Sequence, residues 1–414
     1  MKRSLFVLLG IQLCVLPAAF SQNCQLKKPN DVLEHIKVHH PEIKAENLKT
    51  ETYKKAIEKS AQRPNPKIEM SSKSRSGELG GEGTSLGGEF KHVFELGGKR
   101  EARINLSQSR LKEQKVSAQK TKEAAILSSI KTMSKLSQMN QLEALYKESI
   151  QSFKDLLQNL KNLPSKSPKE TVEISTLEVV IQDYKIKKSR LQSMQQTLRS
   201  HLKFFVKEGC QFSENIFKRT ATLPPLNGSA TAKIDEGVDY KVSQMKVKTQ
   251  KKRFELEKSQ GWSNLELGPA IDYSDGGFSD IGKELKVGVA LEFALPLFHT
   301  NDGGKAQALK RLKEKNLRLK NTKKELSLEL KRRGRNYRNY TQQLEKLESL
   351  SSIQQKHQKI ESFFSRGIIS TNMIIEIHRQ LINWHRDKFQ FQRLAVDSLW
   401  RIYQLTGKTE NSRY

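Results

Sequence analysis

The chain has 414 residues, of which 29% are charged and 36% hydrophobic, and its mean hydropathy is −0.67. This composition is too polar to build one thick hydrophobic core and is typical of long helices packed in thin layers. Lys and Arg (74) outnumber Asp and Glu (45), which gives a formal net charge of +29. The basic residues are spread over the whole chain without interleaved aromatic residues, which argues against a nucleic-acid partner. These basic residues are typical of solvated helix faces. A more specific alternative is that they give a water-filled conduit an excess of positive charge.

The segment 1–21 has the features of a secretory signal peptide. Lys2 and Arg3 precede an apolar run from Leu5 to Leu16, and small residues around Ser21 suit cleavage there. An uncleaved N-terminal anchor is the alternative interpretation. Without the two charges of Lys2 and Arg3 the formal charge falls from +29 to +27. No other run approaches the roughly 18 consecutive apolar residues of a membrane helix, so we expect no spanning helix.

Two cysteines remain after the predicted signal peptide, Cys24 and Cys210. Exported chains can pair such residues, and a disulfide between them is possible, although sequence alone does not show whether they are close. A lipid anchor on Cys24 is disfavoured, because the residues before it lack the apolar and small side chains that such a site usually has. This cysteine usage does not indicate zinc.

The first half of the mature chain predicts two strands followed by a helical hairpin. The stretches "PKIEMSSKS" and "GEFKHVFEL" alternate apolar and polar residues and predict strands at about 66–75 and 88–96. A glycine-rich turn separates them. A helical hairpin is expected at about 100–208, with a reversal near 162–171 where two prolines interrupt the helix.

The second half predicts the same order. The stretches "LELGPAIDY" and "LKVGVALEFALPLF" predict strands at about 264–274 and 284–297. A helical hairpin follows at about 304–405, with a reversal near 365–371. Strands of about ten residues suffice to cross a bilayer when tilted, although a half-buried soluble hairpin alternates in the same way.

The two halves read as an internal repeat. "GGKREARI" at Gly97 has a counterpart in "GGKAQALK" at Gly303, an offset of 206 residues (303 − 97). We therefore expect a first repeat at 22–227, a second at 228–407 and a C-terminal tail at 408–414. Apolar residues seven apart predict helices packed side by side as coiled coils. One such series is Leu177, Tyr184, Leu191, Leu198 and Phe205.

Several stretches in this order resemble the TolC family of outer-membrane efflux proteins, and more closely its heavy-metal and multidrug branch. The most specific is "FELGGKREAR", which follows the second strand. The others are "HHPEIKAE", "RPNPKIEM", "VALEFALPLFHTNDGGKAQA", "SRGIISTNMIIEIHRQL" and "LWRIYQLTG". The resemblance covers nearly all of the mature chain, and the duplicated order behind a signal peptide makes it a strong signal.

The resemblance implies a fold that is mainly α-helical with a small β part, in two structural repeats of two strands plus long coiled-coil helices each. It further implies a homotrimer whose twelve-stranded β-barrel continues into an α-helical barrel. Physics favours such an assembly, because four strands are too few to close a barrel and an open sheet edge is not stable in lipid. The glycine pairs Gly97 and Gly98, and Gly303 and Gly304, would then be hinges between membrane strand and helix.

The function implied by the resemblance is an outer-membrane exit duct of a tripartite efflux system, with a helical tunnel in the periplasm. Its partners would be outer-membrane lipid, a periplasmic adaptor (membrane fusion protein) and an inner-membrane pump, most often of the resistance-nodulation-division (RND) class. The duct would pass metal ions or drugs to the exterior. Two rivals remain: an exit duct for type I protein secretion, which has the same architecture, and a purely structural periplasmic coiled-coil protein with soluble hairpins.

The resemblance also suggests where the adaptor would bind. We expect contacts at the second reversal through Arg366, Gly367 and Ser370, and at the first reversal through Pro164 and Ser165. The first reversal is rich in Lys and Pro and lacks the family's usual glycine-containing turn, which makes its contacts the less secure of the two. All of these residues also suit ordinary helix capping.

A closed tunnel needs a constriction at its periplasmic end, and relatives often place acidic residues just after the second reversal. Glu376 fits that place, and three copies would form a carboxylate ring that holds a cation or pairs with a basic neighbour such as Arg379. A carboxylate on a solvated helix face is the plain alternative.

Metal-binding and catalytic patterns are weak. His35 and His39 lie four apart, His40 follows, and His378 and His385 lie seven apart, but no third ligand has a diagnostic spacing. The sequence also lacks a phosphate-binding glycine loop, a nucleophile elbow and a pair of catalytic acids. We therefore expect no metal site, no cofactor, no catalytic residue and no enzymatic activity.

Overall fold

The structure is a computed structural model, and it describes residues 24–75, 82–213, 216–217, 223–224, 234–276, 282–366 and 368–412. The predicted signal peptide, the predicted junction between the repeats and Gly367 lie outside these residues. The described chain is mainly helical with a small β part, as the sequence predicted.

Long helices dominate the chain, and short ones flank the strands. The helices are α1 (Pro29–His39), α2 (Pro41–Ala61), α3 (Lys99–Lys161), α4 (Pro168–Phe204), α5 (Val238–Ser259), α6 (Asp302–Lys346), α7 (Leu350–Ser365) and α8 (Thr371–Leu405). At 63 residues, α3 is about 94 Å long at a rise of 1.5 Å per residue. No helix among the described residues is both long enough and apolar enough to cross a bilayer.

The strands form two sheets. The strands are β1 (Gln25–Leu26), β2 (Lys67–Arg75), β3 (Gly83–Glu95), β4 (Gln211–Phe212), β5 (Asn264–Gly276) and β6 (Glu284–Phe293). β1 and β4 form a short parallel pair, whereas the other four form an antiparallel sheet in the order β2-β3-β5-β6. This sheet joins the two halves of the chain, because β3 of the first half pairs with β5 of the second.

The strand ends differ from the sequence expectation at two places, and pairing explains both. β3 begins at Gly83 rather than near 88, because its glycine-rich start pairs with β2 on one side and β5 on the other. β6 ends at Phe293 rather than near 297. Phe293 pairs with Leu265 near the start of β5, so the following residues have no ladder to join.

At the reversal of the first helical hairpin, Ser167 and Pro168 start the second helix. α3 ends at Lys161, and Pro168 is the first residue of α4, where a proline costs no helical hydrogen bond. Ser167 caps α4 through a capping box. Its backbone N–H donates to Glu170 at 2.6 Å, and the Glu170 N–H donates to the Ser167 hydroxyl at 3.4 Å.

The second helical hairpin has a break that the sequence pattern did not indicate. α6 ends at Lys346, Leu347 has an extended backbone, and a separate helix α7 begins at Leu350. Ser349 caps α7 by accepting from the Ser352 N–H at 3.2 Å. The ascending arm of this hairpin therefore consists of two helices.

Three apolar clusters lie along the bundle. The first surrounds Cys24 and Cys210, which are joined by a disulfide, and packs α1 against α3 and α8. The second packs both hairpins together near their reversals, and Phe153, Leu177, Tyr184, Ile374 and Ile382 are among its members. Because α3, α4 and α8 all contribute to it, the two reversals lie at the same end of the molecule.

Candidate functional site

The four-stranded sheet has one apolar face, and this face is exposed. The register places large apolar side chains of all four strands on the same side, with exposed fractions between 36% and 86%. They are Ile68, Met70, Leu86, Phe90, Phe94, Leu267, Ile271, Leu285, Val287, Val289, Leu291 and Phe293. A soluble monomer rarely exposes so large a continuous apolar patch, so this face is suited to contact with lipid or protein.

The sheet is also open at both sides. Among the described residues, β2 and β6 each pair with a strand on one side only, so each leaves one sheet edge without a strand partner. Such edges readily accept further strands. An exposed apolar face between two open edges is the geometry expected of one segment of a larger sheet.

The opposite face is polar and is organised around Lys91. The Lys91 side chain is only 7% exposed, and its Nζ lies 2.9 Å from Glu69, 2.7 Å from Glu89 and 3.0 Å from Glu292. The register that pairs His92 with Leu267 sets Lys91 opposite Gly268, where an added Cβ would lie 1.7 Å from the Phe90 carbonyl oxygen. The absent side chain leaves room for the lysine to reach Glu292 on β6 across β5.

At the first strand-to-helix transition, both predicted hinge glycines have left-handed backbones. Gly97 has φ +69° and Gly98 has φ +70°. A Cβ on Gly97 would lie 2.4 Å from the Trp262 ring, whereas a Cβ on Gly98 would meet nothing within 4 Å. Gly97 therefore serves both the backbone conformation and the close packing of Trp262.

Basic side chains after these glycines fix the transition in place. Arg100 Nε donates to the Ala61 carbonyl at 2.8 Å, at the end of α2. Arg103 forms a bidentate ion pair with Glu95, at the end of β3. Lys99 Nζ donates to Asn264 Oδ1 at 2.6 Å, which links the helix to the start of β5. The sequence pattern indicated the glycines but not these contacts.

The second transition is built on a different residue. Asn301, with φ +57°, is the left-handed residue before α6, whereas Gly303 and Gly304 lie inside the first turn of that helix. Asn301 Nδ2 donates to the Glu257 carbonyl at 2.8 Å and to the Glu257 carboxylate at 3.0 Å. Asparagine tolerates this conformation better than other residues with a side chain. The two glycine pairs of the repeat thus occupy different structural positions.

The reversals present exposed residues at the end of the bundle. Pro164 and Ser165 are fully on the surface of the first reversal. At the second, Arg366 and Ser370 are exposed, and Ser370 caps α8 by accepting from the Met373 N–H at 3.4 Å. Gly367 lies outside the described residues.

Glu376 and Arg379 form a pair within one chain. Arg379 is exposed and Glu376 is partly exposed on α8, and two Arg379 nitrogens lie 2.6 and 2.7 Å from Glu376 Oε2. Gln380 donates to the other carboxylate oxygen at 2.6 Å. The hydrogen bond from Gln380 and the pairing with Arg379 lower the pKa of Glu376 below its ordinary value.

α8 also carries two buried histidines with neutral rings. Burial and the nearby His357 lower the pKa of His378 to about 3, and burial and Lys388 lower that of His385 to about 4. His378 lies against Phe153 of α3, with ring centroids 4.8 Å apart. Their spacing along the sequence suggested a pair, but in the structure the neighbour of His378 is His357 of α7.

Comparison with known proteins finds likeness in structure rather than in sequence. No protein-family model matches the chain, and no curated protein matches it significantly. Among solved structures, CusC, studied for its transmembrane channel formation, aligns with a TM-score of 0.68 and 10% identity over 92% of both chains. The outer membrane protein VceC of Vibrio cholerae aligns at 0.66 with 14% identity, over 92% of this chain and 96% of that one.

A third solved structure gives the same result. The CmeC outer membrane channel of Campylobacter jejuni aligns with a TM-score of 0.65 and 14% identity, over 92% of this chain and 86% of that one. The described chain therefore shares the fold of these outer-membrane proteins, and the predicted mainly α-helical fold with a small β part is confirmed.

Proposed function

We propose that three copies of this chain, each made of two repeats, form an outer-membrane exit duct of an efflux system. The observation that carries the proposal is the four-stranded sheet with an exposed apolar face and two open edges. Three such sheets joined edge to edge would form a closed twelve-stranded barrel with its apolar face in lipid and its polar face around Lys91 inside. The shared fold of CusC, VceC and CmeC supports this assembly.

The helices would continue the duct into the periplasm. α3 alone is about 94 Å long, enough to extend far beyond a membrane whose hydrocarbon core is about 30 Å thick. Both reversals lie at the far end, where a periplasmic adaptor would contact Arg366, Gly367 and Ser370, and also Pro164 and Ser165. An RND-type inner-membrane pump would deliver the substrate. Gly97, Gly98 and Asn301 would mark the level where membrane strands become tunnel helices, with Gly303 and Gly304 just inside the second tunnel helix.

The membrane assembly can be tested on two adjacent residues of β6 that lie on opposite faces. Val289 is 74% exposed on the apolar face, whereas Ala290 lies on the polar face. A lysine facing lipid costs about 2–4 kcal/mol near the middle of a bilayer, but a lysine in a watery lumen costs little. We expect Val289→Lys to prevent assembly and Ala290→Lys to preserve it. The measurements are membrane fractionation and migration of the unheated protein as a trimer on gels.

Two results would overturn the proposal: equal assembly of both variants, or a wild-type chain that stays monomeric without detergent. Transport is tested separately, by deleting the gene and measuring susceptibility to metals, dyes and antibiotics. Type I protein secretion would leave these susceptibilities unchanged and would instead abolish release of a secreted protein.

A further inference from the structure

Three potential metal ligands meet between α7 and α8, beside the second reversal. His357 and Glu361 lie one helical turn apart on α7, and His378 faces them from α8. Glu361 Oε1 lies 3.6 Å from His378 Nε2 and 3.9 Å from His357 Nε2. The three ligand atoms all lie within 4.8 Å of one another.

The two imidazole nitrogens that point into this cluster have no hydrogen-bond partner. His357 is 4% exposed and His378 is 0% exposed, and the Nε2 atoms of both are buried and unsatisfied. A buried polar atom without a partner is energetically costly, so such atoms call for an explanation. Two of them beside one carboxylate point to a shared ligand.

The other nitrogens of the same rings face polar side chains of α3. His378 Nδ1 is hydrogen-bonded to the Ser149 hydroxyl at 3.0 Å, and His357 Nδ1 lies 3.9 Å from Glu148. A histidine that binds a metal through one nitrogen usually has its other nitrogen oriented by a carboxylate, carbonyl or hydroxyl group. His378 shows this arrangement, and Glu148 is the neighbouring carboxylate that could orient His357 after a small movement, with Nε2 of both rings left toward the centre of the cluster.

We propose that His357, Glu361 and His378 bind a divalent transition-metal ion such as Zn²⁺. Two imidazoles and one carboxylate are a common donor set for zinc, and tetrahedral bonds of about 2.0–2.1 Å place ligand atoms about 3.3–3.4 Å apart. The side chains would need to close by a few tenths of an ångström to about 1.5 Å from the present distances. Glu361 also lines a groove of about 620 Å³, which gives the ion and a water ligand a route to the cluster.

A second cluster among the described residues, Cys24, His35 and Cys210, does not compete with this one. Its two sulfur atoms are joined in a disulfide and therefore cannot act as thiolate ligands.

The bound ion would fasten α7 to α8 across the reversal. α7 is separated from α6 by the break at residues 347–349, and its apolar residues Ile360 and Phe364 pack against the second cluster. An ion held by two α7 ligands and one α8 ligand would fix the packing of the reversal directly. This inference stands on the cluster and does not depend on the proposed function.

The test uses the full chain in detergent, stripped with a chelator and titrated with Zn²⁺ alone by calorimetry. We expect one ion per chain, and we expect His357→Gln and His378→Gln each to abolish binding. Ser149→Ala, which removes only the orienting hydroxyl, should weaken it about tenfold. His385→Gln is the matched control, since His385 is also a buried histidine of α8 but belongs to no cluster of three potential ligands among the described residues, and it should bind like the wild type.

Circular dichroism shows whether each variant is folded. If the buried histidine variants unfold, Glu361→Gln decides the matter, because this side chain is 32% exposed and its removal leaves the packing intact. The inference is wrong if the wild type binds no Zn²⁺, or if Glu361→Gln or a folded histidine variant binds it as tightly as the wild type. Co²⁺ in place of Zn²⁺ should give an absorption spectrum of tetrahedral nitrogen and oxygen ligation that is lost in the same variants.

Discussion

At the first strand-to-helix transition the left-handed residues are Gly97 and Gly98, directly after β3, whereas at the second it is Asn301, after an irregular segment that follows β6. The sequence repeat equates Gly97 with Gly303, an offset of 206, but the helix caps Gly98 and Asn301 are 203 residues apart (301 − 98). The repeated sequence motif therefore locates the region of the transition, but it does not identify the residue that adopts the left-handed backbone conformation.

The two transitions are also anchored by different chemistry. In the first half, Arg100 and Arg103 reach back to the end of α2 and to Glu95. In the second half, a single amide, Asn301, holds the end of α5 through Glu257. The first half is further closed by the disulfide between Cys24 and Cys210. The two halves have a similar order of strands and long helices. The first half has more side-chain contacts at its transition, and it also contains the disulfide.

The disulfide gives the largest expected effect. The Cys24→Ser/Cys210→Ser double variant should lose about 2–5 kcal/mol of unfolding free energy, because the bridge closes a loop of 186 residues in the unfolded chain. Denaturant unfolding with and without reductant measures it. Reductant should destabilise the wild type and leave the double variant unchanged; an equal response of both would contradict the prediction.

Alanine substitutions in the two glycine pairs should have different effects on the free energy of unfolding. Gly97→Ala should cost about 2–4 kcal/mol, the sum of left-handed strain and the clash with Trp262. Gly303→Ala should be neutral or stabilise by up to about 0.5 kcal/mol, since its backbone is helical and an added Cβ meets nothing within 4 Å. Thermal or denaturant unfolding of both variants gives the comparison. Similar losses for both would mean that the two pairs are equivalent after all.

Two substitutions of Asn301 distinguish the contribution of its backbone conformation from that of its side chain. Asn301→Ala should cost about 1–3 kcal/mol, because it adds left-handed strain to the loss of the hydrogen bonds to Glu257. Asn301→Gly keeps the backbone conformation and should cost only about 1 kcal/mol. If glycine were as damaging as alanine, the hydrogen bonds alone would explain the residue.

The smallest effect on stability is expected at Glu376. Its pair with Arg379 is exposed to solvent, so Glu376→Gln should leave the unfolding free energy close to that of the wild type. If three copies form a constriction, the same variant should raise conductance or alter cation block in planar bilayers. Glu51→Gln, which breaks a similar exposed pair with Lys54 on α2, is the control and should leave the current unchanged. An unaltered current in Glu376→Gln would remove the constriction from the proposal.

Short sequence patterns predicted the structural features that follow from the periodicity of strands and helices. The alternation around Val287 and Val289 predicted the apolar face of β6, because side chains of a strand point to opposite faces in turn. The mainly helical fold followed from composition and from the stretches that resemble the TolC family. These features are encoded in short windows, so one sequence suffices to find them.

Features that depend on distant contacts escaped the sequence analysis. β3 begins at Gly83 because two strands pair with it, which no turn signal indicates. The break before α7 rests on a single serine cap. His357 and His378 are brought together by a helix reversal, so their spacing along the chain does not predict that they are in contact. Spacing instead suggested His385, which is buried elsewhere on α8.

The open edges of β2 and β6 have a consequence for cells that carry two versions of this chain. If three copies complete each other's edges, as proposed, one defective protomer disables its whole complex. When half of the chains are defective and mix at random, only about one complex in eight contains three intact protomers. A damaged allele should therefore be strongly dominant over a functional one, and the loss should be relieved by raising the dose of the intact gene.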